Sequence, residues 1–522
     1  MAEQKSSSKS ARKFAGIEVP PDLTKGNFFF LFLNTMLMGM MMTIPAIVQP
    51  AFLKDVIKIN QDFAGSINGL LQNMSQIATL ALVALVGVLS DKVGRKILAL
   101  LGFLVLAVFY YLFTLANGIA DVLHIPAGLA AQICALVSFV PSKAAEFTGF
   151  APGLLATYVI RFIIGVGLIL GYPQFITMVA DYTYEKDRGK GMAMNGVMMG
   201  LASILVFALF APILSKAGVI IVIYIFVVVA LGGALTTGLF LKDRMPETKR
   251  EKAGLMKIIP VVRKSLPLKT TYWCSLITRA DIVLLATFLM TWGVKYGEVL
   301  GMEAQKATLR ASIPMMVMGV ISLVCFPILG VMLDKWGRVP TIILALFSAA
   351  ISMFLIAIAP NPFSPIVYVA MLFASVGMAG AIAGANTLAA DASPKAMVGS
   401  ILGGLNTMQP IGVLFFVGVG GYLFDAFGPG WAFGVKGAAT LILGIWMFTA
   451  KGRITEELKE VTSLDNLTFT MEWDDEAKKM LEKVPAAFRE PAVTGTEQYA
   501  RDHSHEKVTA DVMTAFRKEL GM

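Results

Sequence analysis

Gly87-Val88-Leu89-Ser90-Asp91-Lys92-Val93-Gly94-Arg95-Lys96 is a short polar turn between two long apolar runs. A charge cluster cannot rest in hydrocarbon, so this turn must lie at a membrane face. A related turn recurs at Gly330-Val331-Met332-Leu333-Asp334-Lys335-Trp336-Gly337-Arg338, again after one apolar run and before another. Recurrence in matching context says that the chain is two copies of one membrane unit. The glycines permit a tight turn between helix ends. The aspartates can face a helix N-terminus, and the basic residues are expected to hold both turns on the cytoplasmic side.

Working outward, composition sets the class. Of 522 residues, 56% are hydrophobic and 15% charged, and the mean hydropathy is +0.72. A soluble globular chain is about half apolar and about a quarter charged. The excess falls in runs of about 20 residues, the length that spans a bilayer. The net charge of +9 comes from Lys and Arg in alternate loops and gives no reason to expect nucleic acid. Cys134, Cys274 and Cys325 are isolated in apolar stretches, and His124, His503 and His505 are scattered. Neither a metal site nor a cofactor is expected. Met36–Met42 reads as a soft apolar helix face.

The expected fold is all-α: twelve transmembrane helices in two six-helix pseudo-repeats, plus a small helical module at the C-terminus. Residues 1–26 are expected to be a disordered cytoplasmic tail without a signal peptide. Residues 27–241 form the N-terminal bundle, with helices at about 27–50, 63–89, 97–116, 152–181, 191–215 and 219–241. Residues 242–270 form a central cytoplasmic loop. Its Met256–Val262 segment, flanked by Arg250, Lys252, Arg263 and Lys264, is expected to lie on anionic headgroups. Residues 271–450 form the C-terminal bundle, with helices at about 271–292, 307–329, 339–359, 364–390, 397–422 and 431–450. Both termini are expected in the cytoplasm, and the cell inner membrane is the expected location.

The stretch Leu123–Val140 is apolar enough to suggest a further span. The repeat argues against it. Asp91 and Asp334 are 243 residues apart, whereas the next matching ends, Asp181 and Asp391, are 210 apart. The first half therefore carries 33 additional residues, close to the length of 117–150. That segment is expected to be an extracytoplasmic insertion, interfacial or re-entrant, and either a lid or a passive decoration.

The Gly87–Lys96 turn resembles the loop between helices 2 and 3 of the major facilitator superfamily. Its weaker copy resembles the loop between helices 8 and 9. Gly87, Leu89, Asp91, Gly94, Arg95 and Lys96 fall on the family pattern, with Asp334, Gly337 and Arg338 in the copy. The resemblance covers roughly residues 25–450. It implies a central cavity lined mainly by helices 1, 4, 7 and 10, alternating access, and a cytoplasmic latch at the two turns. Asp91 is expected to meet the start of helix 11 near Val398, or a nearby basic residue such as Arg188.

The candidate site follows from the charges at depth. Arg161 is about nine residues into helix 4, and Arg279 and Asp281 are similarly deep in helix 7. A charge there costs about 2.5–3.5 kcal/mol unless it is paired or faces water. Arg161 opens Arg161-Phe162-Ile163-Ile164-Gly165-Val166-Gly167, which resembles the superfamily's helix-4 motif. The resemblance implies that this Arg serves proton transfer or substrate contact. Asp281 is the one carboxylate placed well inside a span and is the candidate for carrying a coupling proton, with Arg161 a candidate partner. A fixed ion pair with no transport role is the competing reading. Lys436 is expected to snorkel. Asn34, Asn386 and Asn406 could add hydrogen bonds, although Asn386 sits in a small-residue run that close packing explains equally well. The arginines point to a small anionic or zwitterionic substrate.

Residues 451–522 differ: they are charged and contain no span. Trp473-Asp474-Asp475-Glu476-Ala477 and Thr509 are expected to open helices. With Leu481, Phe488, Arg489, Glu497, Arg501 and Val508, they resemble the small helical module of a light-independent protochlorophyllide reductase subunit. Binding of a cytoplasmic protein through 470–522 and simple stabilisation are both open. The function expected is secondary active transport of a small solute, coupled to protons, and not catalysis. A drug or metabolite efflux antiporter, and a scaffold or sensor acting through the tail, are the alternatives. Asn195–Ser215 lacks the Gly-Pro pair of the superfamily's drug/proton antiporters, which weighs against the former.

Overall fold

The computed structural model describes residues 12–184, 187–244, 255–394, 397–461, 467–482, 484 and 486–519. Expectations for residues 1–11 and for Arg250 and Lys252 fall outside these. Among the described residues twelve helices are long and apolar enough to cross a bilayer: α1 (Lys25–Ile57), α2 (Gln61–Val93), α3 (Arg95–Thr114), α4 (Ala151–Tyr182), α5 (Arg188–Ala217), α6 (Val219–Phe240), α7 (Leu266–Val299), α8 (Ala304–Lys335), α9 (Arg338–Ala357), α10 (Pro365–Asp391), α11 (Val398–Ala426) and α12 (Pro429–Glu460). The chain is a multi-pass membrane protein. Several spans, α6 above all, are apolar all round, as lipid requires on one side and packing on the other. Pro45, Pro173, Pro314 and Pro410 sit inside helices, where neighbouring elements re-satisfy the freed carbonyls.

The two halves repeat one packing device. A Cβ on Gly102 of α3 would fall 2.8 Å from the Gly167 carbonyl of α4. In the second half a Cβ on Gly377 of α10 would fall 2.7 Å from the Ala349 Cβ of α9. Small residues thus bring equivalent helix pairs into near-backbone contact. The turns are also equivalent, with Gly94 at φ +105° and Gly337 at φ +97°, angles that favour glycine.

Four expectations need correction. Residues 12–24 are ordered: β1 (Lys13–Phe14) and β2 (Ile17–Glu18) form an antiparallel hairpin. Ile17, Val19 and Leu23 are buried, and the Phe14 ring lies 6.0 Å from Phe28. Four apolar side chains gain enough from burial to fix a segment that looked too polar to fold. Second, α7 begins at Leu266 and α12 runs to Glu460, so the helices outrun the expected 271–450. Third, the Leu255–Lys264 helix turns Ile258 into a cluster with Leu268, Ala389, Ala392, Ile401 and Leu405. Ile258, Val261 and Val262 therefore pack on protein of the second half, while Ile259 stays exposed. Fourth, Lys436 does not snorkel, as shown below.

Residues 117–150 contain two helices after α3, Ala116–Val122 and Ala127–Val137, then a short turn and Ala144–Phe147. The eleven-residue Ala127–Val137 helix is about 16 Å long, half of a bilayer core. It lies at the end of the bundle away from both termini. The tail is a separate small unit. β3 (Glu472–Trp473) pairs in parallel with β4 (Lys507–Val508) over a core of Trp473, Ala477, Leu481, Val493, Ala500 and Val512. Asp474 caps the helix at Asp475–Glu482, its carboxylate accepting from the Ala477 N–H at 2.6 Å.

Candidate functional site

The halves meet at one end. Among the described residues, every hydrogen bond and ion pair joining them lies in the part of the bundle away from the termini. Asp425, in the last turn of α11, accepts from the backbone N–H of Gly65 and of Ser66, each at 2.7 Å. Asn73 Nδ2 donates to the Leu414 carbonyl at 3.0 Å. Lys54 pairs with Glu298 at 3.1 Å, and Gln305 donates to Asp55 at 2.5 Å. Gly65 and Gly69 of α2 make this approach possible: a Cβ on either would fall under 3 Å from a carbonyl of α11. Toward the other end, Gly403 and Asn406 of α11 and Ala193 and Gly196 of α5 are exposed. An exposed amide such as Asn406 is at home in water and costly against acyl chains. The cleft between the halves opens on the side that carries the termini.

Inside the first half, Arg161 is 1% exposed. Its Nη2 donates to Gln72 Oε1 at 3.4 Å, while Nε and Nη1 have no partner among the described residues. The backbone explains the placement. One turn on, a Cβ on Gly165 would fall 2.7 Å from the Ser75 Cα, so α4 and α2 nearly touch and Arg161 faces Gln72. Two unpaired guanidinium nitrogens in a buried place can donate to an anion or to water.

Inside the second half, Asp281 pairs with Lys436 of α12, not with Arg161. Lys436 is 1% exposed. It also donates to Thr440 at 2.7 Å and lies 5.1 Å from the Phe416 ring centre. A lysine at this depth is too far from the interface for its stem to reach water, so it must find an anion. One signal in the sequence could have found this pair: Asp281 and Lys436 are opposite charges set deep in two apolar spans. A cavity of about 10 Å³ adjoins Asp281 and Ser352, whose hydroxyl has no partner among the described residues. That is room for one water.

Arg279, two residues before Asp281, points elsewhere. It is half-buried, and among the described residues no carboxylate pairs with it. Asn386 is half-buried on α10, and Asn406 accepts from Gln409 at 3.0 Å. Asn34 is fully buried and accepts from Thr236 of α6 at 2.7 Å, inside the first half and away from the cleft.

The two turns build matching clusters. Arg95 Nε lies 2.8 Å from Asp181, Nη2 3.3 Å from Asp91, and Nη1 donates to the Ser90 carbonyl. Arg338 Nε lies 2.9 Å from Asp391, Nη1 2.6 Å from Asp334, and Nη1 also donates to the Leu333 carbonyl. Arg188 lies close enough to Asp181 to act on its charge. Asp243, which sequence reasoning missed, accepts from the Lys96 N–H at 2.8 Å and so caps α3. A Cβ at Gly94 would sit 2.6 Å from that carboxylate, a second reason for glycine there.

The family described as Major Facilitator Superfamily matches residues 31–412 and 322–494. The chain belongs to that superfamily. The family described as Proto-chlorophyllide reductase 57 kD subunit matches residues 473–517, the tail module. Solved superfamily structures align over most of this member. Peptide transporter POT gives a TM-score of 0.60 at 15% identity, covering 86% of this chain and 97% of that one. The inward open conformation of the xylose transporter XylE from E. coli gives 0.55 at 17%, covering 83% and 99%. Such identities show the fold alone. Magnetosome protein MamH of Paramagnetospirillum magneticum is 28% identical over 80% of this chain and 90% of its own length. Magnetosome protein MamZ of the same organism is 24% identical, and the chain spans 62% of its length. Multi-drug resistance efflux pump PmrA of Streptococcus pneumoniae is 28% identical over 35% of this chain.

Proposed function

We propose that this superfamily member is a secondary active transporter that moves a small anionic solute by alternating access, with a proton exchanged at Asp281. One observation carries the reading: Arg279 sits midway along α7, half-buried and, among the described residues, without a carboxylate partner, beside an Asp281 whose charge Lys436 already cancels. The mid-depth charges are therefore positive in sum, and a solute that relieves this is negative. Arg161, with two free guanidinium nitrogens, adds to the bias.

Coupling follows from charge balance. The Asp281–Lys436 pair is neutral. A proton on Asp281 leaves Lys436 as a buried cation without its counter-ion, a state costing several kcal/mol. An anion bound in the cleft offsets that cost. Proton and anion then favour each other's binding, which is the condition for symport. The lysine-rich loops favour a cytoplasmic location for the end that carries the termini, and the Asp91 and Asp334 turns act there as the latch.

The test is flux in proteoliposomes. Purified protein is screened for thermal stabilisation by mono- and dicarboxylates, phosphate and neutral sugars. The stabilising solute is then followed under an imposed proton gradient. Anion uptake that responds to the gradient, and that Arg279→Gln weakens, is the expected result. Uptake of neutral solutes only, or no response to the gradient, rejects the reading.

A second reading is favoured by the similarity to MamH over 80% of the chain. The protein then acts in a magnetosome membrane and not the general inner membrane. A fluorescent fusion imaged in a magnetosome-forming host separates the two.

A further inference from the structure

We propose that the Ala127–Val137 helix and its flanking turns form a lipid-contacting surface, set into the leaflet at the end of the bundle away from the termini. The claim does not depend on the transport reading. It starts from composition: Asp121 is the sole charged residue in 116–140. A water-washed lid would carry charge on its outer face.

Packing sharpens the point. Ala130, Ala131, Cys134 and Ala135 are buried, and the Cys134 thiol faces the Ala151 carbonyl at the start of α4. The larger side chains point outward. Leu129, Ile133 and Leu136 share one face by their spacing and are 56%, 36% and 63% exposed. Val122 at the end of the preceding helix, and Leu123 and Phe139 in the flanking turns, are exposed as well. A soluble appendage buries its leucines and exposes its alanines; this one does the opposite. Left in water, a contiguous apolar face of this kind is a site of association.

Depth and continuity identify the occupant. Tyr111 near the end of α3 and Tyr224 near the start of α6 stack at 6.1 Å, and both are exposed. Tyrosines in such a place mark the headgroup level. α3 ends at Thr114, so the insertion begins at that level. The exposed stripe Leu104, Val108 and Tyr111 of α3, continued by Leu115 just past its end, leads straight into it. An amphipathic helix at this depth sinks its apolar face about 5–10 Å below the headgroups. The segment is also held firmly. Asn117 donates to the Val56 carbonyl at 2.9 Å, and the Phe147 ring lies 4.7 Å from Phe63. It thus ties the ends of α1, α2 and α4 to one another and to the surrounding lipid.

Nitroxide scanning tests this on the whole protein. Leu129→Cys, Leu136→Cys and, as a water-facing reference, Glu146→Cys are made with Cys325→Ser, since Cys134 and Cys274 are buried. Each is spin-labelled and placed in vesicles of phosphatidylethanolamine and phosphatidylglycerol. Collision with oxygen should exceed collision with a water-soluble nickel chelate at 129 and 136, and the order should reverse at 146. Chelate dominance at 129 or 136 shows a water-facing lid and overturns the proposal. Shielding from both reagents, with spin–spin broadening that grows with protein density, shows a second copy of the chain there and also overturns it. Melting curves confirm that each labelled variant is folded.

Discussion

Asp425 and Ser66 are 359 residues apart in sequence and joined at 2.7 Å, carboxylate to backbone N–H. The same carboxylate takes the Gly65 N–H, so the end of α11 caps the start of α2 across the two halves. A carboxylate at a helix N-terminus gains from the hydrogen bonds and from the helix dipole together. This cap must break whenever the cleft opens on that side. Asp425→Ala should therefore shift the conformational balance by about 1–2 kcal/mol, roughly tenfold, toward opening there. Spin labels at Gln61 and Phe427 should report a larger share of long distances. An unchanged distribution assigns the cap to packing alone.

Asp281 and Lys436 make a second case. Removing one partner leaves an isolated charge among apolar side chains, at a cost of about 3–5 kcal/mol. Asp281→Asn and Lys436→Met should each lower the melting temperature clearly. The double variant should recover most of that loss, because no unpaired charge remains at that site. It should also lose the response to a proton gradient. A double variant that keeps gradient-driven uptake removes Asp281 from the coupling scheme.

The turn clusters separate structure from latch. Arg95 is largely buried and serves Asp181, Asp91 and the Ser90 carbonyl together. Even Arg95→Lys should cost about 2–3 kcal/mol, since an ammonium cannot reproduce the fork. Asp91 is half-exposed, and Asp91→Ala should cost less than about 1 kcal/mol in stability. Transport should nevertheless slow in Asp91→Ala while solute-induced stabilisation persists. An unchanged rate shows that Asp91 takes no part in closing.

The tail carries a pH dependence. Burial acts to raise the Glu497 carboxyl, but hydrogen bonds from Thr470, Trp473 and the Thr470 and Met471 amides prevail, and its pKa lies below the ordinary 4.5. A depressed acid stabilises the fold fully above the free value, and the gain disappears as pH falls through the depressed one. Trp473 is one of six tryptophans in the chain, so its emission is read as the difference between the protein and its Trp473→Phe variant, and it should shift on acidification below about pH 4.5. Glu497→Gln should weaken the module at neutral pH and flatten that dependence. An acid transition of the same size in the variant assigns it to other groups.

Sequence alone determined the number of spans and the repeat. Hydrocarbon admits only apolar helices, so runs of about 20 residues and two polar turns can be read directly. The insertion at 117–150 could be excluded as a span by counting, because a duplicated chain keeps its register. Arg161 and Asp281 were legible for the same reason: a charge in an apolar run stands out. What such a charge touches was not legible. Lys436 looked like a snorkelling residue, and only the packing of α7 against α12 turned it into the partner of Asp281. The Asp425 cap, the Asp243 cap on α3 and the docking of Ile258 on the second half were likewise invisible, each depending on residues far apart in the chain. Span count is a one-dimensional property of solvent and chain. Pairing of buried charges is decided by which helices lie side by side, and that is settled by small-residue contacts and caps that only the assembled bundle brings together.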